Sequence, residues 1–187
     1  LHHVSANDSE GKPLEEFVMK ANLAIGSGTR GRSYLSVENG SVWQSPISWF
    51  SKDSKWDISP GFDLGNGGRR VIVAECLFCH VNQVEPIEHA INRYREPLLR
   101  IQTTVGCERC HGPGQLHVTE RTSGNLTTKF DTSIVNPKHL SNALQNDICQ
   151  QCHLQGQERV NRRGRSLFEY RPGLPFDQFV RVFVRHP

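Results

Sequence analysis

The chain has 187 residues, of which 36% are hydrophobic, with 16 glycines, 10 prolines and a formal net charge of +3. This length allows one domain or two very small ones. The low hydrophobic fraction provides few side chains for a large apolar core. No stretch has the apolar length of a membrane span, and no signal peptide is visible. The small charge predicts no nucleic-acid partner.

The N-terminal part of the chain predicts β structure. The expected strands are Phe17–Ile25, Arg32–Glu38 and Ser41–Phe50. The last two flank Asn39-Gly40, the dipeptide that most strongly indicates a two-residue hairpin turn. Pro46 predicts an edge position for the second of them, because proline cannot donate a ladder hydrogen bond.

Further along the chain, short helices and loops are predicted. Arg70–Ala74 is expected to form a short strand. Asp147 is a suitable N-cap for a short helix, and Phe176–Val184 is an amphipathic stretch after a break at Arg171–Pro175.

A Cys-x-x-Cys-His sequence occurs three times and uses all six cysteines. Two thiols three residues apart can form thioether bonds to the two vinyl groups of one porphyrin, and the following histidine can ligate the iron. The pattern therefore predicts three c-type haems. The cysteines that would form thioethers are Cys76, Cys79, Cys107, Cys110, Cys149 and Cys152, and the proximal ligands would be His80, His111 and His153.

Zinc and dithiol chemistry are the alternatives for such cysteines. Two Cys-x-x-Cys pairs could close a four-thiolate zinc ribbon, but that leaves the third pair unused and does not explain the three histidines. A thioredoxin-type dithiol needs one pair beside a βαβ pattern, which this sequence lacks. Haem attachment is the interpretation that accounts for all three motifs.

The remaining histidines are candidates for the distal position on each iron. His117 is the first choice, because a Gly-Pro-Gly turn after the second motif would direct it away from its own haem towards a neighbouring one. His89 comes next, on a possible short helix. The other candidates are His139, His2, His3 and His186. Met19 is expected in the core rather than on an iron.

A family resemblance rests on several segments. They are Gly26–Tyr34, Trp56–Gly61, Gly106–Val118, Ile134–Pro137, Asp147–Gly156 and Arg163–Gly173. Together they resemble the haem-binding region of large multihaem cytochromes c that often carry tetratricopeptide repeats, and more distantly the tetrahaem cytochrome family of hydroxylamine oxidation. In the latter, a histidine shortly after a CHGPG-type motif ligates another haem, which implies that role for His117.

The chain also departs from this pattern. Relatives tend to carry further haem motifs, and a histidine is expected before the second motif, where Gln102–Val105 stands. One distal ligand would then be relocated, for example to His89, or one iron would be open. With its start at Leu1, the chain resembles a processed product, a fragment or a compact three-haem relative.

The predicted fold is a multihaem cytochrome c, mostly irregular with short α-helices and a small N-terminal β-hairpin, packed around three c-type haems. One domain over residues 1–187 is expected, with a hairpin-containing part at 1–70 and a haem-binding part at 71–187. A run of Arg162, Arg163 and Arg165 could clamp haem propionates, since guanidinium groups match carboxylates. A solvated basic face is the equal alternative.

Electron transfer is the predicted function, outside the cytoplasm, because haem is attached to such motifs in the periplasm or an equivalent compartment. The partners would be redox proteins, or further copies of the chain in an extracellular filament with histidines ligating across subunits. The alternative is a multihaem enzyme that acts on a small nitrogen or sulfur compound at an open iron. No enzyme is predicted, because six histidines remain for distal sites; a sensor module would need a signalling domain.

Overall fold

The computed structural model describes residues 1–63, 69–95, 104–125 and 130–185, apart from the side chains of Ala6 and Glu15. The chain divides into two compact units, Leu1–Thr104 and Val105–Pro187. The division falls well beyond the expected boundary at residues 70 and 71, so the first Cys-x-x-Cys-His motif lies in the first unit and the other two lie in the second. That both units form one domain over residues 1–187 stays a prediction.

The first unit is mainly β structure. Its strands are β1 (His2–Asn7), β2 (Pro13–Met19), β3 (Leu23–Ile25), β4 (Arg32–Glu38), β5 (Ser41–Phe50), β6 (Lys55–Ile58) and β7 (Arg70–Val71). β1 pairs with β2, and a second antiparallel sheet has the order β3-β4-β5-β6, with β7 also pairing with β5. The small hairpin expected from the sequence is therefore one part of a larger sheet.

The β4–β5 hairpin turns at Asn39-Gly40, and both strands have the limits expected from the sequence. Asn39 and Gly40 have φ angles of 52° and 78°, which are the left-handed values that a type I′ turn requires. The expected strand Phe17–Ile25 is instead two strands. The chain changes sheets between them, where the side chain of Asn22 accepts a 2.9 Å hydrogen bond from the backbone N–H of Val37.

The prediction that Pro46 places its strand at an edge is wrong, because β5 pairs with β4 on one side and with β6 and β7 on the other. The pairing with β4 shifts register between Ser33 and Leu35. On the other side, β7 ends its pairing at Gln44 and β6 begins at Ile47. Pro46 lies in the interval on both sides, where no ladder donor is needed.

Helix α1 (Ala74–His80) follows β7. Leu77 and Phe78 are fully buried, together with the core side chains Met19, Leu35, Val42, Ile72 and Tyr94. The hydroxyl of Tyr94 donates a 2.7 Å hydrogen bond to the carbonyl of Ile72. The expected strand at Arg70–Ala74 is shorter than predicted, since Ala74 already begins the helix.

The second unit contains short helices and one small sheet. Its elements are α2 (Glu108–His111), α3 (Gln115–Thr122), α4 (Asn142–His153), β8 (Glu158–Asn161), β9 (Val180–Phe183) and three 3₁₀ helices, Pro137–His139, Leu167–Glu169 and Phe176–Gln178. β8 and β9 pair antiparallel. Its core is formed by Ile148, Leu167, Tyr170, Phe176, Phe179 and Val180. In the described residues, no helix has the length and apolar character that crossing a bilayer requires.

The prediction of Asp147 as an N-cap is wrong. Helix α4 begins one turn and a half earlier, and Ser141 is its N-cap, with a side chain that accepts from the N–H of Leu144 at 3.4 Å. Asp147 lies inside the helix, and its carboxylate accepts a 3.1 Å hydrogen bond from the backbone N–H of Phe176. It therefore ties α4 to the segment that leads into β9.

Candidate haem sites

All three Cys-x-x-Cys-His motifs have the same local geometry. The histidine is the last residue of a helix in each case: His80 ends α1, His111 ends α2 and His153 ends α4. Within a helical turn, residues i and i+3 lie on the same side. Each motif thus presents both thiols on one side of a helical turn, with an imidazole directly after them at the helix end.

The six thiols lie at or near the surface. Cys107, Cys110 and Cys149 are exposed, and Cys76, Cys79 and Cys152 are partly exposed. Burial raises the pKa of the Cys76 thiol. Among the described residues, which include every cysteine, no three His, Cys, Asp or Glu side chains come together as a metal site would need.

The second and third motifs are in direct contact. The side-chain amide of Gln151 in α4 donates a 2.8 Å hydrogen bond to the backbone carbonyl of Arg109 in α2. Gln151 is 3% exposed, and its amide also donates to the carbonyl of Ile148. A hydrogen bond from a buried amide therefore joins α4 to α2.

The ring of His111 is oriented by a backbone carbonyl. Its Nδ1 lies 2.8 Å from the carbonyl oxygen of Val135. In the tautomer with a proton on Nδ1, the ring donates this hydrogen bond and keeps its Nε2 lone pair for a metal. Metal-ligating histidines typically use their second nitrogen in this way, so the geometry suits a proximal ligand.

His117 is oriented by a carboxylate. It lies on α3, and its Nδ1 is 2.7 Å from Oδ2 of Asp131. That carboxylate also accepts from Arg121 at 2.6 Å and from the backbone N–H of Ser133 at 2.9 Å. The hydrogen bonds from Ser133, with those from Arg121 and His117, hold the pKa of Asp131 well below its usual range. His117 thus also keeps Nε2 for a metal.

The turn between α2 and α3 separates His117 from the second motif. Gly112 has φ 71° and ψ −173°, a conformation that L-residues rarely adopt. The N–H of Gly114 donates a 2.8 Å hydrogen bond to Oε1 of Glu108, which closes the turn. The chain direction therefore changes between His111 and His117, as the Gly-Pro-Gly sequence predicts.

His89 is not on a helix, contrary to the expectation for it. It has a positive φ of 61° and lies in a turn, with a side chain that is 91% exposed and 3.6 Å from Glu88. His139 ends a 3₁₀ helix, is exposed and packs edge-on against Phe130 at 5.1 Å between ring centroids.

The N-terminal histidines lie on β1 and differ in their surroundings. His2 is half-buried, with Nδ1 at 2.6 Å from Oγ of Ser45 and its ring 5.1 Å from that of Tyr34. These are the contacts of a packed side chain, and burial lowers the pKa of His2. His3 is exposed. His186 lies outside the described residues. Positions 102 and 103 also lie outside them; they belong to the stretch before the second motif where a histidine was expected.

Tyr170 is buried in the core of the second unit, where its ring packs edge-on against Phe176 and Phe179. It is 3% exposed, and its hydroxyl has no hydrogen-bond partner among the residues that the structure describes. Burial raises the pKa of this hydroxyl. The hydroxyl therefore needs a partner that the described residues do not supply. The thiol pairs and the oriented imidazoles of the three motifs fit covalently attached haem.

The three arginines of the run have different surroundings. The guanidinium of Arg162 donates a 2.8 Å hydrogen bond to the carbonyl of Asp177. Arg165 lies 5.5 Å above the ring of Phe179, and Arg163 is exposed. The propionate clamp and the solvated basic face both stay predictions.

Sequence reasoning missed Asp131, Arg121 and Tyr170. No local pattern marks Asp131, because 14 residues separate it from His117. Tyr170 lies within a segment that carries the family resemblance, but only its burial shows that its hydroxyl needs a partner.

Residues 62–112, which contain the first two motifs, match the family model described as cytochrome c554 and c-prime. A solved structure of outer cell wall cytochrome OcwA aligns with a TM-score of 0.49 and 18% identity, covering 82% of this chain and 31% of that one. The chain thus spans about a third of the length of that structure. No curated protein matches.

Proposed function

We propose that this chain carries three c-type haems and transfers electrons through them. The match of residues 62–112 to the cytochrome c554 and c-prime family model supports this proposal, because cytochromes c carry haem c and transfer electrons. The match supports the resemblance found in the sequence. The count of three rests on the third motif, which lies beyond the matched residues. The single observation that carries the proposal is the repeated geometry of the motifs, each with its histidine at the end of a helix.

Each haem would be held by cysteines, which bond the porphyrin, and by histidines, which ligate the iron. The cysteine pairs would form the thioether bonds, and His80, His111 and His153 would ligate the irons as the motif predicts. His117 would be the further iron ligand that the geometry favours most. When bound, each haem supplies reversible one-electron chemistry at iron. The oriented rings of His111 and His117 support this, because fixed ligands keep the iron coordination the same in both oxidation states.

The second and third motifs are in contact through Gln151. Its buried side chain links the third motif to the second through a 2.8 Å hydrogen bond. Haems attached to these two motifs would be held by helices in contact, which would favour direct electron transfer between them. We therefore propose the second unit as a two-haem relay, with the haem of the first motif attached to α1.

We propose a location in the periplasm or outside the cell, where haem c proteins mature. The partners would be redox proteins, or neighbouring copies in a filament. In a filament, His3 would be a candidate ligand across a subunit junction, because it is exposed on β1. His2 suits that role less, because its ring is packed against Tyr34 and Ser45.

Intact-mass measurement of protein matured in the periplasm tests the proposal. We expect three haem masses, and two after a double Cys→Ser substitution in any one motif. Polypeptide without haem, or with bound zinc, would contradict it. The electron paramagnetic spectrum of the ferric protein distinguishes an electron carrier from a multihaem enzyme. We expect only low-spin haem, whereas a high-spin haem would favour an enzyme with an open catalytic iron. Electron microscopy distinguishes single particles from filaments.

A further inference from the structure

Asp131 is the centre of a hydrogen-bond network around His117. Its Oδ2 atom accepts from Nδ1 of His117 at 2.7 Å and from Nη2 of Arg121 at 2.6 Å. Its Oδ1 atom accepts from the N–H of Ser133 at 2.9 Å and from the Ser133 hydroxyl. One carboxylate oxygen is therefore shared by an imidazole and a guanidinium, while the other is held by the local chain.

The network is partly buried, which strengthens its hydrogen bonds. The side chains of His117, Asp131 and Arg121 are 36%, 24% and 23% exposed. Hydrogen bonds to charged groups are stronger than neutral ones, and partial exclusion of water adds to this. The orientation of the His117 ring is thus set by an ionised partner that is itself fixed from two other sides.

We propose that Asp131 is a positioning residue for His117 as a haem ligand. By accepting the hydrogen bond from Nδ1–H, Asp131 fixes the tautomer in which Nε2 carries the lone pair, and it makes that nitrogen a stronger electron-pair donor to a metal. The inference rests on the proposed function, because it requires His117 to ligate an iron. The inference adds Asp131 as a residue that acts on the iron ligand His117 without contacting the haem itself.

A comparison with His111 gives the expected consequence. His111 donates to the neutral carbonyl of Val135, whereas His117 donates to a carboxylate. An anionic acceptor makes the imidazole more electron-rich, which stabilises ferric over ferrous iron and lowers the reduction potential. Arg121 competes for the same oxygen of Asp131 and weakens this effect. Asp131 and Arg121 should therefore shift the reduction potential of the same haem in opposite directions.

The test uses the fully matured protein and three variants. Asp131→Asn should raise the midpoint potential of one haem and change the electron paramagnetic g values of its low-spin signal. Arg121→Gln should lower the potential of that same haem. The matched control is Glu120→Gln, which removes a carboxylate on the same helix that bonds Asn125 instead of His117. It should leave the g values unchanged, because it alters charge without altering the ligand.

A fourth variant, His117→Ala, separates failure of the inference from failure of its premise. It should convert one haem to high spin. If it does so while Asp131→Asn changes neither potential nor g values, Asp131 does not position the ligand and the inference is overturned. If all haems stay low-spin in His117→Ala, His117 is not a ligand and the inference falls, while three haems by mass would leave electron transfer standing. If Asp131→Asn cannot be purified, an unchanged potential in Arg121→Gln overturns the inference.

Discussion

The side chain of Gln151 donates a 2.8 Å hydrogen bond to the backbone carbonyl of Arg109, and the two residues hold the same place in two different motifs. Each is the second of the two residues between the cysteines. The contact therefore lies at the centre of both attachment sites, and it sets the distance between them without using any residue that would bind haem.

Gln151→Leu should destabilise the matured protein by about 0.5–1.5 kcal/mol, because it removes the hydrogen bond that the buried amide of Gln151 donates to the carbonyl of Arg109. Urea unfolding followed by the haem absorption gives the measurement. The control is Gln150→Leu, a change of the same residue type one position earlier in the same motif, which should cost less. Equal losses in the two variants would show that the contact does not hold the helices together.

Local sequence patterns were sufficient to predict those elements whose structure depends on residues adjacent in the chain. Asn39-Gly40 predicts the β4–β5 turn because both positions need left-handed backbone, and the strand limits follow from the flanking apolar residues. The Cys-x-x-Cys-His motifs likewise define the candidate sites by themselves.

Features that depend on tertiary partners could not be predicted in this way. Pro46 suggests an edge strand, but the interval between β6 and β7 lets it occupy a central one. Asp147 and Ser141 are both suitable N-caps, and the contact of Asp147 with Phe176 decides between them. The bond from Gln151 to Arg109 spans 42 residues, which no local pattern reveals.

Tyr170→Phe should change the free energy of unfolding of the matured protein by less than about 0.5 kcal/mol, because the buried hydroxyl that it removes has no hydrogen-bond partner among the described residues. Urea unfolding measures the change. Tyr94→Phe is the matched control: Tyr94 is equally buried, and its hydroxyl donates to the neutral carbonyl of Ile72. That variant should lose about 0.5–1.5 kcal/mol. A loss in Tyr170→Phe as large as that in Tyr94→Phe would show that the Tyr170 hydroxyl has a partner in the matured protein.

The stability of the first unit should fall as the pH drops below 6.5, in part because of His2. Burial lowers the pKa of His2 from the ordinary histidine value of 6.5. The native state therefore disfavours the protonated ring, and the stability present above pH 6.5 is lost as the pH falls through the lowered value.

His2→Gln should reduce this pH dependence, measured as the urea midpoint at a series of pH values. His3→Gln is the control on the same strand, since His3 is exposed and lacks the contacts with Ser45 and Tyr34. Should His2→Gln instead convert a haem to high spin, His2 would be a ligand and not a packed side chain.

The β4–β5 turn bears on the first haem site through Tyr94. The N–H of Tyr94 donates to the carbonyl of Gly40 at 2.9 Å, and its hydroxyl donates to the carbonyl of Ile72, two residues before α1. A Cβ atom at Gly40 would lie 3.2 Å from the carbonyl oxygen of Tyr94. Substitution at Gly40 should therefore disturb the residue that anchors the segment leading into the first motif.

Gly40→Ala should cost about 1–2 kcal/mol for its left-handed backbone and about 1–3 kcal/mol more for crowding against Tyr94. Gly11→Ala isolates the first of these costs, because Gly11 has a similar φ of 82° and no atom within 4 Å of its added Cβ. Urea midpoints of the matured proteins give the difference. If Gly11→Ala and Gly40→Ala lose the same stability, the carbonyl of Tyr94 moves aside freely, and the turn does not hold the approach to α1.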